Sequence, residues 1–163
     1  MKKKLNTRGL LKKIDRLIGE RMAEKDVVSI DSLRSKYQKK PASILVVEDD
    51  ETVRMALRRI LEREKHRVIT AVDGTQLSSA LGDEFIDLIL LDVGLPWING
   101  YELAELMKQD LYLKHIPIVF ISAQSQEADI KKGFAVGAND YITKPFEVDE
   151  VVKTVNVLLE LAD

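Results

Sequence analysis

Glu48, Asp49 and Asp50 follow the apolar run Ile44-Leu45-Val46-Val47, and Asp92 follows Ile86-Asp87-Leu88-Ile89-Leu90-Leu91. Ser122 closes Ile116-Pro117-Ile118-Val119-Phe120-Ile121, and Lys144-Pro145 closes Asp140-Tyr141-Ile142-Thr143. The runs are short and rich enough in β-branched residues to read as buried strands. If those strands are parallel neighbours, all four polar signals meet at the edge where open α/β sheets bind ligands, outside the carboxyl ends of the strands. Two unit charges about 4 Å apart repel by roughly 4 kcal/mol at an effective dielectric of 20. Two or three carboxylates among Glu48, Asp49, Asp50 and Asp92 would converge there, and such a cluster either raises a pKa or binds a cation. Mg2+ suits such a site, because it takes one or two carboxylates, keeps several waters and accepts a phosphate oxygen. Lys144 brings an ammonium to the same edge and Ser122 a hydroxyl donor, both suited to phosphoryl oxygens. No histidine ends a strand, so Ser122 is not read as a hydrolase nucleophile. Asp92 is the better nucleophile, since a carboxylate can attack phosphorus to give an acyl phosphate. Each signal alone has a plainer reading: acids capping helix N-termini, a surface lysine, a serine in a turn.

To hold these residues, the chain alternates apolar runs with amphipathic segments from Ser43 onward. Thr52 to Glu64 places Val53, Ala56, Leu57, Ile60 and Leu61 at helical spacing, and Val68-Ile69 with Ala71-Val72 reads as a further strand. Asp73 and Gln76 have the spacing of a capping box that opens a helix ending at Gly82. Asn99-Gly100 opens the next, another spans about Gln126 to Val136 and stops at Gly137, and the last runs from about Val148 to Leu161. Five strands alternating with five helices predict a three-layer α/β sandwich around a parallel sheet with right-handed crossovers.

The first 40 residues differ. They hold 13 Lys/Arg against 5 Asp/Glu, a net +8, whereas residues 41–163 hold 12 against 22, a net -10. Leu10, Leu11, Ile14, Leu17, Ile18 and Met22 form an apolar stripe on a helix of about 20 residues, roughly 30 Å long, with a mostly basic opposite face. A second short helix is expected after Asp31, with Leu33 and Tyr37 inward, before Pro41 breaks the pattern. Residues 1–40 thus read as a basic amphipathic extension and 42–163 as the globular domain. The 163 residues contain no cysteine, so thiolate metal sites and disulfides are excluded, and His66 and His115 are the two imidazoles. No long uninterrupted apolar segment occurs, and a cytoplasmic protein is expected.

Ile44-Leu45-Val46-Val47-Glu48-Asp49-Asp50, Leu90-Leu91-Asp92-Val93-Gly94-Leu95-Pro96, Ile121-Ser122-Ala123 and Lys144-Pro145-Phe146 together resemble the motifs of bacterial response regulator receiver domains. The spacings from Asp49 to Asp92 (43), Asp92 to Ser122 (30) and Ser122 to Lys144 (22) resemble that family's too, over about residues 42 to 162. The resemblance implies a flavodoxin-like (βα)5 fold with strand order 2-1-3-4-5. It further implies Mg2+ held by Glu48, Asp49, Asp92 and the backbone carbonyl of Gly94, a phosphoryl group taken by Asp92 from a histidine kinase or phosphotransfer protein, and Ser122 and Lys144 contacting that group. Lys144-Pro145 carries the family's cis bond, and Tyr141 falls on its switch aromatic, which moves with Ser122. Such a protein is a phosphoacceptor that catalyses its own phosphorylation and dephosphorylation, not a turnover enzyme. Gly94 and Gln124 occupy positions that tune water attack in the family, and Thr154 stands where the transcription-factor branch carries an arginine used in dimers.

A stand-alone regulator ending at Asp163 and acting through a downstream protein partner is the expected form. The alternative is a receiver fragment of a longer transcriptional or enzymatic regulator. For residues 1–40, packing on the acidic receiver or on a second copy as a homodimer ranks above a partner-docking arm and above contact with nucleic acid or an anionic membrane. A haloacid dehalogenase-type phosphatase is the enzyme rival; it needs an acid two residues after its nucleophile, where this chain has Gly94.

Overall fold

The computed structural model describes residues 6–23 and 41–162. In chain order its elements are α1 (Thr7–Ala23), β1 (Ser43–Val47), α2 (Glu51–Arg63), β2 (Arg67–Ala71), α3 (Gly74–Asp83), β3 (Leu88–Leu91), α4 (Gly100–Gln109), β4 (Ile118–Ser122), α5 (Glu127–Ala135), β5 (Asp140–Thr143) and α6 (Val148–Leu161). The five strands form one parallel sheet in the order β2-β1-β3-β4-β5. The expected flavodoxin-like order is the observed one.

Side chains alternate across the sheet, so both faces need cover and the strands read as unbroken apolar runs. Ile44, Val46, Leu88, Leu90, Val119, Ile121 and Ile142 face α2 and α6, where they pack with Leu57, Leu61, Val151 and Val155. Leu45, Val47, Ile89, Leu91, Phe120 and Tyr141 face the other way, into a core shared with α3, α4 and α1. The register then fixes the edge. Val47 is level with Leu91, so Glu48 and Asp92 leave the sheet side by side, and Ser122 is level with Thr143, just before Lys144.

α1 packs on its own receiver, along α3. Its predicted stripe is used as expected: Ile14 and Ile18 are buried in the same core as Leu77 and Leu81, with Leu10 and Leu11 partly buried beside them. Met22, at the far end of the stripe, stays half exposed. Within the described residues the helix covers 17 positions, Thr7–Ala23. The second helix expected around Leu33 and Tyr37 lies outside the described residues.

Gly82 is not the predicted stop. α3 continues through Asp83, and a Cβ at Gly82 would lie 2.6 Å from Leu17 Cβ, so the glycine is where α1 crosses closest. The capping box is likewise only half formed. Asp73 Oδ1 accepts the Gln76 N–H at 2.8 Å, but Gln76 Oε1 takes the N–H of Val72 rather than that of Asp73. Gly137 does end its helix region as expected, at φ 104°, in the left-handed range that glycine adopts freely. Among the described residues, no helix is long and apolar enough to cross a membrane.

Candidate functional site

Glu48, Asp49 and Asp92 each place a carboxylate oxygen within 4.8 Å of the others. Each is set by its strand exit. The Glu48 N–H donates to the carbonyl of Ala71 on β2 at 3.2 Å, and the Asp92 N–H donates to that of Val47 on β1 at 3.0 Å. Glu48 and Asp92 are buried, while Asp49 is exposed. Asp50 turns away from the cluster to cap α2, accepting the Val53 N–H at 3.0 Å, and its own N–H donates to Glu48 Oε1 at 3.0 Å.

Lys144 reaches over from β5. Its Nζ donates to Glu48 Oε2 at 2.7 Å and lies 3.4 Å from Asp92 Oδ1. The Lys144-Pro145 bond is cis, as expected. Burial pushes the Glu48 carboxyl above the usual range; the Lys144 hydrogen bond and the Asp50 N–H pull against it, and the neighbouring Asp92 charge adds to it. For Lys144, burial alone would lower the pKa, but the hydrogen bond to Glu48 and the charges of Asp92 and Glu48 outweigh it and the net direction is up. Lys144 is thus a fixed cation that compensates the three acids only in part. A hard divalent ion fits what remains, because the donors are all oxygen, two of them are buried, and their spacing lets one ion touch all three.

Ser122 is buried at the end of β4, and its Oγ accepts the Gln124 N–H at 3.1 Å. The Lys144 N–H donates to the Ser122 carbonyl at 2.8 Å, so the two residues are tied through the ladder. Gly94 lies in the loop after Asp92, where a Cβ would stand 3.9 Å from Asp92 Oδ2. The same loop needs Gly100, because a Cβ there would come within 2.5 Å of the Asp92 carbonyl oxygen. Asn99 closes the loop by capping α4, its Oδ1 accepting the Tyr101 N–H at 2.9 Å. Trp97 donates from Nε1 to the Val72 carbonyl at 2.9 Å, pinning the loop to the strand exit of β2. Tyr141 is buried, turned inward on Phe120, one strand away from Ser122.

The structure therefore brings Glu48, Asp49, Asp92 and Lys144 into one cluster, with Ser122, Gly94 and Tyr141 around it. Two residues were not singled out from sequence. Arg54 Nη1 donates to the backbone carbonyls of Glu48 and Asp49 at 3.1 and 3.2 Å, bracing the acidic loop from α2. Its position one helical turn after Asp50 was the available signal. Tyr101 contacts the Tyr141 hydroxyl, and nothing in its spacing pointed there.

Residues 44–156 match the response regulator receiver domain family. Among curated proteins, the chain is 35% identical over 119 residues to the phosphate regulon transcriptional regulatory protein PhoB of Rhizobium meliloti, covering 73% of this chain and 52% of that protein. It is 32% identical to Protein PilH of Pseudomonas aeruginosa, covering 72% of this chain and 98% of that one. The chain thus spans about half the length of PhoB and nearly all of PilH. Among solved structures, the receiver domain of the sensor histidine kinase PA1611 from Pseudomonas aeruginosa PAO1, with a magnesium ion coordinated in its active site cleft, superposes with a TM-score of 0.67 at 26% identity, covering 74% of this chain and 99% of that one.

Proposed function

The chain belongs to the response regulator receiver domain family, the phosphoacceptor signalling module of two-component systems, and on that premise we propose that Asp92 is the residue that accepts the phosphoryl group. One observation carries the assignment: three carboxylates share a space that one cation could fill, with Lys144 Nζ between Glu48 and Asp92. Glu48, Asp49 and Asp92, with the carbonyl of Gly94, would hold Mg2+, whose charge would stabilise the transferring phosphoryl oxygens. An Asp92 carboxylate oxygen attacks phosphorus in line, the bond from phosphorus to the donor's histidine nitrogen breaks, and its electron pair stays with the imidazole. Lys144 and the Ser122 hydroxyl then supply hydrogen bonds to the phosphoryl oxygens, and Arg54 keeps the Glu48–Asp49 backbone in place. The chain promotes its own phosphorylation and later hydrolysis, and its donor is a histidine kinase or phosphotransfer protein.

Readout passes to a downstream protein partner. A longer transcriptional regulator is the second reading, favoured by the half-length match to PhoB. Of the extension at residues 1–40, α1 acts as a packed part of the receiver, because its apolar stripe is already buried on α3.

The metal assignment is tested by Mg2+ titration, followed through the fluorescence of Trp97, the one tryptophan of the chain. Asp49→Asn should raise the Mg2+ midpoint about tenfold or more, within the range expected for loss of a charged ligand. An unchanged midpoint would reject the cluster as the metal site.

A further inference from the structure

The Ser122 hydroxyl and the start of α5 are joined by hydrogen bonds that run through Gln124 and two buried tyrosines. The Gln124 N–H donates to Ser122 Oγ at 3.1 Å, and the carbonyl of the same residue accepts the Tyr141 hydroxyl proton at 2.6 Å. Tyr101, on α4, puts its hydroxyl 3.2 Å from that of Tyr141 and 3.0 Å from the carbonyl of Asp129, in the first turn of α5. The protons can be counted. Each phenol has one, and the 2.6 Å contact takes that of Tyr141, so the Tyr101 proton is shared between the Asp129 carbonyl and the Tyr141 oxygen. Tyr101 therefore holds the Tyr141 oxygen and the first turn of α5 with a single proton.

The rings leave little freedom around this contact. Tyr101 packs edge-on against Phe120 at 5.1 Å between centroids, and Phe120 packs against Tyr141 at 5.8 Å. Gly133 on α5 lies flat against the Tyr141 ring, where a Cβ would come within 2.7 Å of Cδ2. Tyr101 and Tyr141 are buried. The burial of Tyr101 and its neighbour Tyr141 drive its pKa up, so it stays a neutral donor.

We infer that Tyr101 is a positioning residue that couples Tyr141, and through the Gln124 backbone the Ser122 hydroxyl, to the N-terminal turn of α5. This rests on Asp92 being the phosphoacceptor and Ser122 a phosphoryl contact. When the Ser122 hydroxyl turns toward a phosphoryl oxygen, its bond from Gln124 is disturbed. The Gln124 carbonyl, the Tyr141 hydroxyl and the shared proton of Tyr101 then shift together, and the change reaches Asp129. The signal needs no new contact, only redistribution of hydrogen bonds already made.

The test combines intact mass with backbone amide NMR of the full chain, before and after treatment with acetyl phosphate and Mg2+. In the unaltered protein one phosphoryl group is expected, with shifts at Ser122 to Gln124 and across Asp129 to Ala135. Tyr101→Phe keeps the ring and its packing; it should still gain one phosphoryl group and keep the shifts at Ser122 and Ala123, but lose most of those across α5. Tyr141→Phe cuts the same link, should silence α5 in the same way, and decides the matter if Tyr101→Phe does not fold. The double variant should add nothing to either single one. Shifts across α5 that survive both hydroxyl deletions would overturn the relay while leaving the phosphoacceptor assignment standing. Failure of the unaltered protein to gain any phosphoryl group would overturn both.

Discussion

At the carboxylate edge, Glu48, Asp49 and Asp92 crowd around the single ammonium of Lys144; on the α3 flank, Ile14 and Ile18 of α1 sink into a continuous apolar core over Gly82. The first region holds like charges together at a cost in stability, the arrangement on which the proposed metal and phosphoryl binding rests. The second gains stability from burial and places no group at the reacting edge. Substitutions in the two regions should therefore separate stability from phosphoryl chemistry, in opposite senses.

The largest effect is expected on the flank. Ile14 is fully buried, and Ile14→Ala should cost about 3 kcal/mol of unfolding free energy in urea, with phosphoryl acceptance by the folded protein little changed. A loss well under 1 kcal/mol would mean that α1 is not held on α3 as described.

At the edge, Lys144→Ala leaves the buried Glu48 without its ion-pair partner. Without Mg2+ this should cost roughly 2 kcal/mol, and saturating Mg2+ should recover most of it because the ion replaces the lost charge. Equal losses with and without Mg2+ would break the contrast, because the edge would then behave as ordinary packing.

The smallest effect is electrostatic and belongs to the flank, because Asp15 is only partly buried and water screens much of its shift. Burial, then a hydrogen bond and charge repulsion from Asp110, push Asp15 on α1 up to about 7. An unfolded aspartate titrates near 4. The folded state thus binds the extra proton between about pH 4 and 7, so this contribution to stability is present at the acid end and is lost as pH rises to about 7. Melting temperatures should fall across this range; measuring them in saturating Mg2+ would, on the proposed metal site, keep the similar upward tendency of Glu48 out of the slope. In Asp15→Asn most of that slope should be absent; an identical slope in the variant would assign the dependence elsewhere.

The two regions also differ in how far the sequence revealed them. Strand-end residues stand out by type and spacing, and a parallel sheet converts spacing into proximity, so the meeting of Glu48, Asp49, Asp92 and Lys144, with Ser122 at the next strand end, was legible in the sequence. The stripe from Leu10 to Ile18 showed that a helix face would be buried, but periodicity does not say against what. Gly82 shows why. A glycine near a helix end is commonly a stop signal, yet here it gives room for Leu17, a fact that depends on a second helix far away in sequence. Tyr101 was hidden for the same reason, since its partners Tyr141 and Asp129 lie on other elements and no local pattern marks a hydroxyl pair.

Everything proposed for the edge depends on Asp92 taking a phosphoryl group. Intact mass after incubation with Mg2+ and a small acyl phosphate tests it most directly. One added phosphoryl group is expected in the unaltered protein, dependent on Mg2+, and none in Asp92→Asn; labelling that survives in Asp92→Asn would remove Asp92 as the acceptor.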